Sequence, residues 1–586
     1  MRAACSTISR SPAPRYTPEC AHLRRPLSVP HAMTSTSLDA WPAHAPRSLP
    51  IPQTHLFRNV EISALRYGER PFVIFYDSLL SFQRFKEETE RMAGYLQSEC
   101  GVRKGDRVLL YMQNSPQFML AFYAILRADA VVVPINPMNV TEELAHLARD
   151  SGARVAFAAQ DLFERIRPML GDTIDRVVVA TYSDYLEQIT DLEIPEFVTA
   201  PRAALNHPQA VSWAVALATG CEPGPLRAGP DDLAVLPYTS GTTGQPKGCM
   251  HTHRTTMVNA VTASAWFNTT AASVTLSVLP MFHVTGMQSG LNGPLYVGST
   301  VVVLPRWDRK AAAESIARYR VTSLGLISTM AIDFMANPKL DTYDFSSLRH
   351  VGGGGASMPS AVAQAMRNRL GIGYAEGYGL SETMGATHLC PPGGDRLQCL
   401  GIPLFDVDAR IVDPDTCEAV APGAVGEILI HAPQLMLGYW NSPAADDAAF
   451  VRIGNRRFLR TGDLATRDAQ GFFVFADRLK RMINASGFKV WPAEVEGKLY
   501  QHPAVQEACV IASGDARRGE TVKALVVLRP GFADQVTEGE LIQWSRGQMA
   551  VYKSPRVISF VAQLPKSATG KVNWRALQDA EKAGSS

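Results

Sequence analysis

The sequence predicts an α/β protein, with a large unit of parallel sheets covered by helices followed by a smaller α+β unit. Three observations predict it. Uniform Val/Ile/Leu runs of strand length alternate with helical stretches, the pattern of strands buried on both faces. One strand, one helix and a second strand fit into about thirty residues after Asp106, the size of a right-handed βαβ unit. Near residue 400 the texture changes to alternating apolar and polar residues between turn signals, as in half-exposed antiparallel strands.

Taken in order, RVLLYM after Asp106 is an apolar strand. NSP follows, with Ser115 as N-cap and Pro116 at the first helical position, and QFMLAFYAIL continues as the helix. AVVVPINP is the next buried strand. Further uniform strands are expected at 176–180, 300–304 and 322–327. VDARIVD, VGEILIH and GFFVFAD then alternate. Beyond Asp477 the spacing predicts a helix at 493–499, strands at 505–512 and 521–528, and a helix at 538–546. The boundary between the units is placed at 476–480. The first 32 residues carry five arginines, one acid (Glu19) and five prolines. The prolines would break the amphipathic helix of a transit peptide, so this segment reads as a disordered extension or an early start codon.

Composition narrows the function classes. In 586 residues, 46% are apolar and 19% charged, the balance of a packed soluble protein. Lys and Arg total 57 against 55 acids, a net charge of +2 that gives no basic stripe for nucleic acid. Nine cysteines, dispersed and without a CxxC pair, fit reduced thiols in a cytoplasmic protein better than a disulfide framework. No apolar run reaches the ~18 residues of a membrane span. A large soluble enzyme is what remains.

The strongest chemical signal is YTSGTTGQPKG at 238–248. Its glycines let backbone N–H groups approach an anion, its hydroxyls can donate to phosphate oxygens or bind a cation, and Lys247 adds a point charge. A Walker A loop requires GxxxxGK followed by Ser or Thr; here Pro246 precedes the lysine and Gly248 follows it. The segment is a phosphate loop of another kind.

With that loop the chain resembles the adenylate-forming superfamily of acyl-CoA synthetases, luciferases and peptide-synthetase adenylation domains. Eight segments carry the resemblance in order from about residue 55 onward. They are YTSGTTGQPKG with THR at 252–254, PMFHV at 280–284, GGGGA at 352–356 and EGYGLSET at 376–383. GEILIHAPQLMLGYW at 426–440, RTGD at 460–463, DRLKRMINASGFKVWPAEVE at 477–496 and LPKSATGK at 564–571 complete the set. The resemblance implies a large AMP-binding domain at 33–476 that includes a distorted β-barrel subdomain. A hinge at 477–480 and a small mobile C-terminal domain at 481–586 would follow.

It also implies a two-step reaction: a carboxylic acid attacks the α-phosphate of ATP, and the acyl group of the adenylate then passes to CoA. By the family's pattern Thr239, Ser240, Gly241, Thr242, Thr243, Gly244 and Lys247 would hold the phosphates, with Thr239 and Glu382 on Mg2+. Gly355, Glu376, Gly377, Tyr378 and Gly379 would form the adenine slot, and Ser381 would reach the α-phosphate. Asp463 and Arg478 would hold the ribose. Lys571 would bridge the carboxylate and the α-phosphate as a catalytic group beside Thr239 and Glu382. Lys480 would be the hinge, and Gly487, Phe488 and Lys489 would face the CoA channel. His283, Val284, Gly286 and Met287 would sit at the mouth of the acyl pocket, with small residues Ser289, Gly290 and Gly293 beyond.

Glu376 departs from the family, where Gln or Asn is usual. The quiet acyl region suggests a medium- or long-chain fatty acid first and an aryl or arylalkanoic acid second. An adenylating enzyme that loads a carrier protein, and a nucleotide- or acyl-binding protein without catalysis, are the competing readings. The expected partners are the acid, ATP and CoA, with no nucleic acid and no membrane insertion; a homodimer is left open.

Overall fold

The computed structural model describes residues 40–239, 246–355, 358–393, 396–485, 488–515, 519–532, 535–566 and 572–584. The expected extension at 1–32 lies outside the described residues.

The βαβ unit forms as the spacing predicts. Strand Arg107–Tyr111 and strand Val131–Pro134 pair in parallel, joined by helix Pro116–Arg127. Ser115 caps that helix, accepting from the Phe118 amide at 3.1 Å. Every helical residue from Pro116 to Leu126 is buried, so the helix needs no polar face. These strands belong to a seven-stranded sheet that also holds Val155–Ala159, Arg176–Ala180, Ala210–Ser212, Leu233–Val235 and His251–Thr252.

A nine-stranded sheet lies on the same hydrophobic core. Six of its strands run parallel, in the order Tyr374–Leu380, His350–Gly354, Ser323–Gly325, Val274–Ser277, Thr300–Val303 and Pro71–Phe75. The strand expected at 322–327 is shorter than read, because the chain turns at Ile327 into helix Ser328–Met335. The C-terminal ends of this sheet, at Gly354 and Glu376–Tyr378, open onto the central cavity, the usual ligand side of parallel sheets.

The alternating segments form an antiparallel sheet of Asp408–Val412, Gly426–His431, Phe450–Ile453, Arg456–Arg467 and Phe473–Arg478. It is an open sheet rather than the expected distorted barrel. Arg456–Arg467 is long enough to pair Phe450–Ile453 along one half and Phe473–Arg478 along the other. Among the described residues no pairing joins Asp408–Val412 back to them.

After Arg478 the chain makes a 3-10 turn at Leu479–Arg481 and enters a different sheet at Ile483–Ala485. That sheet contains hairpin Val505–Asp515/Gly519–Leu528 and strand Val557–Phe560, with helices Pro492–Leu499 and Glu538–Gln548. Ile483, Val495, Leu499, Val526 and Leu541 form its separate core. The first strand of the hairpin runs past the expected 512, since its partner continues to Gly519. No described helix is long and apolar enough to cross a membrane.

Candidate active site

One cavity of about 3160 Å³ is lined by both large sheets, the antiparallel sheet and the C-terminal segment. Its centre is a hydrogen-bonded pair. The Tyr378 phenol donates to Asp463 Oδ2 at 2.8 Å, and Arg478 Nε contacts Asp463 Oδ1 at 3.0 Å. Strand register causes this, because Asp463 and Arg478 stand opposite each other across the antiparallel pair. Tyr378 is buried and donates a hydrogen bond to an anion, which holds its phenol well above the ordinary tyrosine range.

Glu376 lies two residues earlier on the same strand. Its Oε1 accepts from the Gln398 amide at 2.8 Å and the Met358 amide at 3.4 Å. Burial pushes this carboxyl up to about 7, against the pull of those two amides. Gly355, with φ +88°, closes the turn after His350–Gly354 in a conformation that favours glycine. Gly355, Glu376, Gly377, Tyr378 and Gly379 all line the cavity.

The two ends of the segment expected to bind phosphate form a hairpin stem. Thr239 pairs with Lys247 and Tyr238 with Gly248, while Ser240, Gly241, Thr242, Thr243 and Gly244 lie outside the described residues. The stem is fixed from the side by Trp440, whose amide donates to the Gly248 carbonyl at 2.8 Å. Lys247 Nζ stands 5.1 Å above the Tyr439 ring, and the Tyr439 hydroxyl donates to Glu382 Oε1 at 2.7 Å. Thr239, Lys247, Ser381 and Glu382 face the same cavity. The turn carrying Ser381 and Glu382 is pinned by His251, whose Nε2 meets the Ser381 carbonyl at 2.8 Å, and by Asn259, which donates to the Thr383 carbonyl at 3.0 Å. Burial lowers His251 to about 4, so its ring is neutral at physiological pH.

Lys480 lies on the cavity wall between other cations. Burial, then Arg575, then Lys247 hold its ammonium below the ordinary lysine range. Three cations converging on one cavity form a field suited to a polyanion. The Asp477 carboxylate beside the turn accepts from the Arg478 and Ala493 amides, both at 2.6 Å. Lys571 and Gly487 lie outside the described residues, as do the side chains of Phe488 and Lys489, whose backbone forms strand Phe488–Val490. The flanks of the Lys571 segment are fastened to each other, Lys566 bridging to Val572, and both line the cavity.

The acyl side differs in detail from the expectation. His283 and Val284 line the cavity, and His283 Nδ1 accepts from the Thr285 amide at 3.3 Å. Gly286 and Met287 sit behind the wall. A Cβ on Gly286 would lie 2.2 Å from the Pro280 carbonyl oxygen, and Met287 is fully buried in the core. Gly290 packs against the Ser277 hydroxyl in a π-helical segment, Gln288–Asn292, while Ser289 and Gly293 do reach the cavity.

Among the described residues no group of three or more His, Cys, Asp or Glu could hold a metal. A hydroxyl and one carboxylate, Thr239 and Glu382, facing one cavity nevertheless fit Mg2+, an ion that keeps several waters and takes its remaining oxygens from phosphates where a substrate brings them.

A hairpin stem carrying Thr239 and Lys247, the Tyr378–Asp463–Arg478 cluster and the Ser381–Glu382 turn all border one cavity, an arrangement that fits an AMP-binding enzyme. The chain belongs to the AMP-binding enzyme family: the family model matches residues 60–440, and the AMP-binding enzyme C-terminal domain matches 494–571. It is 34% identical to a long-chain-fatty-acid–CoA ligase of Bacillus subtilis (strain 168), over 93% of this chain and 98% of the relative. It is 31% identical to a feruloyl-CoA synthase of an Amycolatopsis species, over 92% and 98%. A crystal structure of an anthranilate CoA ligase in complex with anthranoyl-AMP superposes with a TM-score of 0.78 at 27% identity, covering 92% of this chain and 98% of that one.

Proposed function

We propose that the protein is an ATP-dependent carboxylic acid–CoA ligase acting on a medium- or long-chain fatty acid. The observation that carries the reading is one continuous cavity, running from the Tyr378–Asp463 pair past Lys247 and Glu382 into a tunnel beside helix His253–Trp266.

In the first step a carboxylate oxygen attacks the α-phosphorus of ATP, and the bond to the bridging oxygen breaks to release pyrophosphate. The protein's work is positioning and charge stabilisation, with little proton transfer. Lys247 and the loop 240–244 cradle the β- and γ-phosphates. Tyr378, Gly355, Gly377 and Gly379 hold adenine, and Asp463 with Arg478 holds the ribose. Because Tyr378 and Asp463 are bonded to each other, the base and sugar ends of the nucleotide are set by one unit. Ser381 reaches the α-phosphate. Thr239 and Glu382 would hold Mg2+, which supplies charge neutralisation on the phosphates. Lys571 bridges the carboxylate and the α-phosphate.

In the second step the CoA sulfur attacks the acyl carbonyl and AMP leaves. The boundaries 33–476, 477–480 and 481–586 describe a large domain, a hinge at Lys480 and a small domain. Rotation at that hinge withdraws Lys571 and brings Gly487, Phe488 and Lys489 to a CoA channel. The compartment is cytoplasmic, and a homodimer is compatible with this reading.

An aryl acid is the second reading, favoured by the feruloyl and anthranilate enzymes among the relatives. Gly325 and Gly352, and in the next row Ser323 and His350, all line the cavity along the strand direction, a length an alkyl chain fills better than a single ring. Pyrophosphate release across acids from acetate to stearate, with benzoate and phenylacetate, tests the choice. A maximum at a medium or long alkyl acid is expected; a maximum at an aryl acid overturns it.

A further inference from the structure

The tunnel floor changes character with depth. Strand register puts Gly325, Gly352 and Ala375 side by side in one row, and Thr275, Ser323 and His350 side by side in the row two residues deeper. Alternation sends these residues to the tunnel face, while Leu324, Val351 and Tyr374 fill the core on the opposite face. The near row is smooth and small. The deep row is polar, an unexpected floor for a plain hydrocarbon chain.

Among the described residues neither the Thr275 and Ser323 hydroxyls nor the His350 ring nitrogens have a hydrogen-bond partner, and all three residues line the cavity. His350 is stacked at 3.8 Å on Phe267, which, with Asn259 and Ala263, continues one face of helix His253–Trp266 over the tunnel. Burial lowers the His350 imidazole to about 4, so the row is uncharged at physiological pH. Two more orphaned oxygens lie nearby, Ser277 Oγ and Gln288 Oε1. The Gln288 amide nitrogen is committed to the Thr256 carbonyl at 3.3 Å, which leaves its oxygen as an acceptor. None of the residues named in these two rows or on the helix face above them is charged, and the acid beside them in the lining is Glu376, which burial keeps protonated up to about 7. A second carboxylate or an ammonium would therefore be desolvated without a counter-charge. A hydroxyl, which both donates and accepts, matches the set.

We infer that the preferred substrate is a fatty acid carrying a hydroxyl near its far end, seated on the polar row of Thr275, Ser323 and His350. This rests on the ligase reading above. From Gly354 at the nucleotide end to His350 is four residues at about 3.3 Å each, or about 13 Å, the reach of roughly ten extended carbon–carbon bonds. A phenolic acid carries the same hydroxyl on a shorter body.

The test is AMP release by the full-length protein with ATP, Mg2+ and CoA, given decanoic, 10-hydroxydecanoic or 4-hydroxycinnamic acid. The expected kcat/KM for 10-hydroxydecanoic acid exceeds that for decanoic acid by at least about tenfold, since an unfilled polar site penalises the analogue lacking the hydroxyl. The double variant Thr275→Val/Ser323→Ala, with its fold checked by circular dichroism, should bring that ratio close to one. A wild-type ratio of one or less, with decanoic acid turned over, overturns the inference and leaves the ligase standing. Preference for 4-hydroxycinnamic acid, or a folded double variant that keeps the wild-type ratio, also overturns it. Silence with all three acids, with AMP released from another acid of the acetate-to-stearate series, overturns the inference alone; silence across that whole series as well overturns the ligase reading.

Discussion

The Tyr378 phenol and the Asp463 carboxylate are bonded at 2.8 Å across the wall of the cavity, joining two sheets that the sequence separates by 85 positions. Asp463 is almost fully buried and also meets Arg478, so it organises both a ring and a guanidinium. Asp463→Asn keeps the shape but removes the charge that both partners address. ATP affinity measured by calorimetry should fall about tenfold or more, the value of one or two hydrogen bonds to a charged group. Unchanged affinity would separate this pair from nucleotide binding.

Glu376 gives a pH signature. Its carboxyl keeps its proton up to about 7 in the folded protein, against 4.5 for an ordinary glutamate. Between those values the unfolded chain binds fewer protons than the folded one, so stability falls as pH rises and levels off above about 7. Glu376→Gln retains an oxygen for the Gln398 and Met358 amides and cannot ionise. Its unfolding free energy relative to the parent, measured by urea denaturation, should rise from pH 4.5 to about 7 and then stay constant, by at most about 3 kcal/mol. A difference independent of pH would contradict the assignment.

Tyr439 holds Glu382 through a 2.7 Å hydrogen bond and carries Lys247 above its ring. Tyr439→Phe keeps the ring and frees the carboxylate to rotate. The Mg2+ concentration for half-maximal AMP release should rise by about tenfold, with a smaller change in kcat, as when an outer partner of a metal ligand is lost. Equal Mg2+ dependence would remove Glu382 from the metal's surroundings.

Lys571→Ala separates the two steps. Adenylate formation should fall by more than about a hundredfold, while ATP binding stays within a few fold and thioester formation from supplied acyl-adenylate persists. Normal adenylation would refute the role given to this lysine.

Much of the architecture is legible in the sequence because buried parallel strands are written as uninterrupted Val/Ile/Leu runs and their helices as capped segments. Arg107–Tyr111, Ser115 and Arg176–Ala180 fall where the pattern predicts. The closure of the antiparallel unit was not legible, because alternation defines a strand's faces and says nothing of which edges meet. The motifs named residues that line the cavity but not the contacts that support them. Tyr439, His251 and Asn259 reach the Glu382 turn across more than fifty positions, through contacts with no local pattern. Gly286 and Met287 pack against the Pro280 carbonyl and the core, a placement the motif does not reveal, because small or apolar residues beside a motif look alike whether they face a cavity or the core. The polar row of Thr275, Ser323 and His350 is visible only in register, since each residue is unremarkable within its own strand.

The most direct measurement of the central claim is the product balance with ATP, Mg2+, CoA and a series of acids, resolved by chromatography. One AMP, one pyrophosphate and one acyl-CoA per turnover are expected, with AMP release dependent on both the acid and CoA. Formation of ADP and phosphate, or an adenylate that CoA does not discharge, would contradict it.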